Sequence, residues 1–99
     1  MELTSKQRAF LKSRAGSLQP VMQIGKDGIT DHVVASADAA LEARELIKIT
    51  VLETAFMDAR DALEELALQL HAQPVAAIGR KIILYRTAQD PKKRKIVLP

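Results

Sequence analysis

Ninety-nine residues, 47% of them hydrophobic and 27% charged, suffice for one compact domain and leave little for a second. No apolar run approaches the roughly 18 residues of a bilayer-spanning helix, no apolar signal region opens the chain, and the lack of cysteine excludes disulfides, thiolate metal sites and thiol nucleophiles while fitting a reducing, cytoplasmic setting. The net charge of +3 is unevenly spread: five cations meet two acids in residues 1–28, three meet nine in 29–79, and seven meet one in 80–99, so a fold that joins the two ends on one side has a basic face that attracts polyanions and an acidic back.

Thr4 followed by Gln7 has the form of a capping box and predicts that a first helix starts there. It turns Ala9, Phe10 and Leu11 inward, shows Lys6, Arg8, Lys12 and Arg14 to solvent, and stops at Gly16. Pro20 precedes a short apolar strand, Val21 to Ile24, which ends abruptly at Gly25-Lys26-Asp27-Gly28. Thr30 is placed to cap a second helix carrying Val33, Ala37, Ala40 and Leu41, and Ser36 to Asp38 is where an interruption would fall. From Leu46 to Val51 the pattern alternates: Ile47, Ile49 and Val51 point one way and Lys48 and Thr50 the other, as in a half-buried strand. A third helix follows, with Phe56, Ala59, Leu63, Leu66, Ala67 and Leu70 in one stripe and Asp58, Asp61, Glu65 and Gln69 opposite; Pro74 closes it. Val75 to Ile78 and Ile82 to Arg86 are two strands around the tight turn Gly79-Arg80-Lys81. Beyond Ala88, Asp90 to Lys95 is polar and expected to be flexible, with Ile96-Val97-Leu98 as a segment able to dock.

The order is α-β-α-β-α-β-β. A helix joins the first two strands, so they should run parallel, and the last two form an antiparallel hairpin. The expected class is α+β: a two-layer α/β sandwich with helices on one or both faces of a mixed four-stranded sheet, residues 1–88 forming the domain and 89–99 a basic tail.

A search for catalytic groups is thin. His32 and His71 stand far apart without ligand-like spacing and read as surface or capping residues. The carboxylates of the third helix are spaced as a solvated face, and no phosphate-binding GxxxxGK loop, GxGxxG turn or GxSxG elbow occurs. No enzyme activity, cofactor, metal ion or small-molecule substrate is expected. Gly25-Lys26-Asp27-Gly28 is different, because it joins a strand to a helix whose first N–H groups and positive dipole end favour anions. Two glycines let a sugar-phosphate chain approach the backbone, Lys26 adds a cation, and GxxG loops of this kind clamp nucleic-acid backbones in KH modules.

Four segments, "LTSKQRAFLKSRA", "QIGKDGIT", "ALEARELIKITV" and "AAIGRKIILYR", make the run from Leu3 to Arg86 resemble the CRM (chloroplast RNA splicing and ribosome maturation) domain, in the form of small stand-alone bacterial YhbY-like proteins. The resemblance implies an α/β fold similar to the C-terminal domain of translation initiation factor three. It also implies RNA binding through the GxxG loop and adjacent basic surface, and association with precursors of the large ribosomal subunit. Carried over by position, the loop falls on Gly25, Lys26, Asp27 and Gly28. The basic surroundings fall on Lys6, Arg8, Lys12 and Arg14 of the first helix and on Arg80, Lys81 and Arg86 of the hairpin. With 3% aromatic residues, recognition should rest on RNA shape and backbone more than on splayed bases. The rival reading is an adaptor that docks a ribosomal protein or assembly factor through Asp58, Asp61, Glu64 and Glu65. Nuclease treatment separates the two, since only an RNA binder should leave its particle when RNA is cut.

Overall fold

The computed structural model describes residues 2–99. In chain order it contains α1 (Ser5–Ala15), β1 (Met22–Ile24), α2 (Asp31–Arg44), β2 (Leu46–Val51), α3 (Ala59–Leu70), β3 (Gln73–Ile78) and β4 (Lys81–Tyr85). Short 3₁₀ turns lie at Glu53–Ala55 and Pro91–Lys93. Each α-helix begins on a side chain that takes an otherwise unpaired N–H. The Thr4 hydroxyl accepts from Gln7 N at 3.1 Å while the Gln7 side chain accepts from Thr4 N at 3.0 Å, which completes the capping box. Thr30 Oγ1 accepts from Val33 N at 3.2 Å and Asp58 Oδ1 from Arg60 N at 2.9 Å.

α1 stops at Gly16 as expected, with Gly16 itself keeping right-handed helical angles. Two details of the other helices differ from the sequence reading. α2 runs unbroken through Ser36 to Asp38 and ends on Glu45, at φ 67°. Phe56 is not on the α3 stripe: Asp58 caps that helix, and Phe56 sits before the cap, exposed and at φ 52°.

The sheet is mixed, in the order β1-β2-β4-β3. β1 runs parallel to β2 with Met22 beside Ile49, and β4 runs antiparallel to both β2 (Leu46 beside Tyr85) and β3. Gly79, at φ 60°, supplies the left-handed residue of the two-residue hairpin turn. Pro74 lies within edge strand β3, next to a register irregularity between Pro74 and Ala76. A proline and a bulge both blunt an edge against pairing with other chains.

Strand alternation divides the interior between two faces. Ile47, Ile49 and Val51 point with Ile82 and Leu84 toward α2 and α3, where Leu41, Leu63, Leu66 and Leu70 close over them. Leu46, Ile83 and Tyr85 point the other way, toward Leu11 and Ala15 of α1. The helices therefore occupy both faces of the sheet.

The segment from Asp90 to Lys95, expected to be flexible, is held against the domain, and the residues after it dock as their apolar character allows. Ile96 and Leu98 pack into the α1-side cluster, and the Gln7 amide donates to Pro99 O at 3.2 Å. Glu45, buried completely, accepts from Ala88 N at 2.7 Å, Lys95 N at 2.6 Å and Ile96 N at 3.0 Å. Glu42 accepts from Gln89 N at 2.9 Å and Asp90 N at 3.0 Å. Two carboxylates at the end of α2 thus take five main-chain donors from a segment whose own sequence offers no regular structure to pair them.

Arg86, expected on the basic surface, turns inward as a staple. Its Nη1 donates to Asp38 Oδ1 at 2.8 Å and Leu70 O at 3.0 Å, and its Nη2 to Asp38 O at 3.2 Å. With only 15% of its side chain exposed, it ties the end of β4 to both α2 and α3. Arg86→Ala is expected to destabilise the domain by about 2–3 kcal/mol, since charge-assisted bonds are removed and the Leu70 carbonyl is left without its donor. A urea denaturation midpoint equal to that of the parent chain would refute the staple.

Candidate nucleic-acid interface

Parallel β1 and β2 end side by side, and β4 starts beside the end of β2, with Lys81 opposite Thr50. One end of the sheet therefore gathers the Gly25–Gly28 loop, the Leu52–Met57 segment and the Gly79–Arg80 turn. The loop is a single tight turn in which Gly28 N donates to Gly25 O at 2.9 Å. Neither Lys26 nor Asp27 has positive φ, and Gly28 has φ 70°, the arrangement of a type I turn with glycine in fourth place. Lys26 and Asp27 are both exposed.

The two glycines differ in kind. Gly28 is demanded by its own backbone angle. Gly25 is not: its φ is unexceptional, and a methyl group added there would meet only Leu52 Cδ1, at 3.9 Å. Added at Gly28, it would meet no atom within 4 Å. Both glycines are half-buried, yet neither is closely packed where a methyl group would point. The following helix contributes less than the sequence suggests, because Thr30 already takes one of its free N–H groups and Asp31 sits in its first turn, offsetting the positive end.

The expected cations are spread over several places. Arg8 and Lys12 line a groove of about 560 Å³ beside β3, together with Arg60 and Glu64, and Arg8 Nη1 donates to Pro74 O at 3.3 Å. Arg14 lies over the Phe10 ring, 5.6 Å from its centroid, and lines a second groove, about 540 Å³, with Arg44 and Lys95. Lys6 is exposed on α1. Lys81 is exposed at the loop end, on the sheet face that α1 covers in part.

Arg80 does not extend the surface. Its Nε donates to Val51 O at 2.8 Å, and its Nη2 to Leu52 O at 2.8 Å and Met57 O at 3.2 Å. It fixes the Leu52–Met57 segment beside the loop. Lys48 was not among the expected site residues, although its position opposite Ile47 and Ile49 was the signal. Alternation places it with Thr50 and Lys81 on the α1 face, between α1 and the loop. Charge at the loop end is mixed, Lys26, Arg80 and Lys81 standing against Asp27, Glu53 and Asp58.

Among the described residues no group of three or more His, Cys, Asp or Glu could hold a metal ion, and no helix is long and apolar enough to cross a membrane. The arrangement offers main-chain N–H groups and cations, which suit a phosphate-bearing chain.

The CRS1 / YhbY (CRM) domain matches residues 3–86. The chain is 42% identical over 91 residues to "Probable RNA-binding protein YqeI" of Bacillus subtilis, covering 92% of this chain and 95% of that one. It is 34% identical over 93 residues to "Probable RNA-binding protein PA4753" of Pseudomonas aeruginosa, covering 94% and 89%. The solution structure of the hypothetical protein SAV1595 from Staphylococcus aureus superposes with a TM-score of 0.79 at 38% identity, covering 98% of this chain and 99% of that one.

Proposed function

From the premise that the chain belongs to the CRS1 / YhbY (CRM) domain family, we propose that it is a non-catalytic RNA-binding module, seating an RNA backbone on Gly25, Lys26, Asp27 and Gly28. The observation that carries this reading is the glycine at position 25, which neither a positive φ nor close packing requires, at the start of a turn whose Lys26 and Asp27 are exposed. Lys26 and the turn's main chain hold phosphates there, and Lys48 and Lys81 lead from the loop toward α1. Lys6, Arg8, Lys12 and Arg14, with Arg44 and Lys95, add longer-range attraction that salt weakens.

Gly25→Ala tests the loop. Because the added methyl fits, it should leave stability unchanged or raise it by about 0.4–1 kcal/mol, while lowering RNA affinity several-fold by keeping the backbone away. Equal affinity of variant and parent at matched salt would remove the loop from the interface. The proposed RNA is ribosomal, in precursors of the large subunit, as the family resemblance implies, and the protein assists assembly of that particle in the cytoplasm. Crosslinking bound RNA in cells and mapping the attachment sites checks this. Attachment spread over unrelated messages, with none in the large-subunit precursor, would overturn it.

A further inference from the structure

The chain has three aromatic residues, two Phe and one Tyr, and the fold accounts for two. Tyr85 is buried, its hydroxyl 3.1 Å from Thr87 Oγ1. Phe10 is half-buried beneath Arg14. Phe56 is 92% exposed and sits at φ 52°, ψ 36°, a left-handed conformation that a bulky aromatic rarely adopts and that glycine or asparagine would hold with less strain. Neither burial nor backbone preference explains a ring there.

Its surroundings supply a reason. Gly25 lies against Leu52, and Leu52 N donates to Ile24 O at 2.9 Å. Arg80 clamps the carbonyls of Leu52 and Met57, and Phe56 N donates to Glu53 O at 3.1 Å. The ring is thus carried by a braced segment at the same end of the sheet as the loop. It borders a shallow depression of about 450 Å³ with Glu53, Asp58, Gly79 and Arg80. Glu53 and Asp58 repel phosphates but leave the uncharged face of a base free to approach. Met57 apart, no large apolar side chain surrounds the ring in that depression, so it does not form the apolar patch that a protein partner would favour.

We propose that Phe56 is a stacking platform for an unpaired base of the RNA whose backbone lies on Gly25–Gly28. The inference rests on the RNA-binding reading above and adds to it that the ligand is single-stranded where it crosses this end of the sheet. Stacking on one exposed ring changes affinity between about five-fold and a hundred-fold.

The chain has no tryptophan, so Phe56→Trp introduces a single fluorescent reporter at this point. Titration with a short single-stranded oligoadenylate should quench that indole, and a blunt RNA duplex should not. Phe56→Asn should melt at or above the parent temperature, because asparagine suits positive φ, yet bind the oligoadenylate at least about five-fold more weakly. Oligoadenylate binding that leaves the indole unquenched, with Phe56→Asn at parental affinity, overturns the platform and leaves the loop reading intact. Failure of the parent chain to bind either RNA overturns the loop reading itself.

Discussion

Glu45→Ala is expected to lower the melting temperature by more than about 10 °C and to open the C-terminal segment to trypsin at Lys92, Lys93, Arg94 and Lys95. Glu45 is fully buried and accepts three main-chain N–H groups from residues 43 to 51 positions away. Alanine strands all three donors, each costing about 1 kcal/mol or more while buried. The segment escapes that cost by peeling away into water, which uncovers the α1-side cluster that Ile96 and Leu98 help to close. A total near 3 kcal/mol, at roughly 4–8 °C per kcal/mol for a domain of this size, gives the stated fall. Glu45→Gly is the control for the backbone: it relieves the positive φ but removes the same carboxylate, so it should also release the segment. Trypsin rates equal to those of the parent in both variants would rule out Glu45 as the anchor.

The same carboxylate sets an acid limit. Burial pushes the Glu45 carboxyl up, but the N–H donors of Lys95, Ala88 and Ile96, with Arg94 nearby, outweigh it and hold the pKa below the ordinary 4.5. The N–H groups of Gln89 and Asp90 lower Glu42 in the same way. A carboxyl whose folded pKa lies below its unfolded one contributes stability that is complete above the unfolded value and is lost as pH falls through the folded value. The segment should therefore stay docked at neutral pH and loosen only below about pH 4.5.

The second large effect is on binding. Lys26→Glu combined with Gly25→Asp should weaken RNA binding by roughly ten-fold to a hundred-fold at physiological salt, since a cation becomes an anion and a second carboxylate enters the seat. The slope of log affinity against log salt should flatten by about 0.7 for each phosphate of a single strand that the protein ceases to neutralise. Gly28 is left alone because its φ of 70° would add strain that has nothing to do with RNA. Lys26 is exposed and a Cβ at Gly25 meets only Leu52 Cδ1, at 3.9 Å, so the stability should stay within the range of ordinary surface changes, about 0.5 kcal/mol. Parental affinity and slope in this double variant would eliminate the turn as the seat.

What could be read from the chain was local. The Thr4–Gln7 box, the Thr30 cap, the α3 stripe from Ala59 to Leu70 and the Gly79 turn each rest on residues a few positions apart. Lys48 was legible too, since alternation already set it opposite Ile47. What was not legible depends on distant partners. Arg80 and Arg86 are cations in any sequence reading, and only the folded chain shows them capping the carbonyls of Val51 and Leu70. Glu45 finds its donors from Ala88 onward for the same reason. Phe56 falls on the stripe in the sequence because the helical period extends backward past Asp58; a capping argument at Asp58, whose carboxylate takes Arg60 N, would have left the ring outside the helix.

The hydrogen bond from Gln7 to Pro99 O brings the first turn of α1 and the last described residues together on one side of the sheet. A unit whose chain enters and leaves at one spot can be spliced into a surface loop of a larger protein, or closed into a ring by a short linker, without rerouting its interior. Because that spot belongs to α1 and the final residues, whereas the turn at Gly25 lies at the end of the sheet, a fused neighbour would be carried beside the proposed RNA seat without having to cover it.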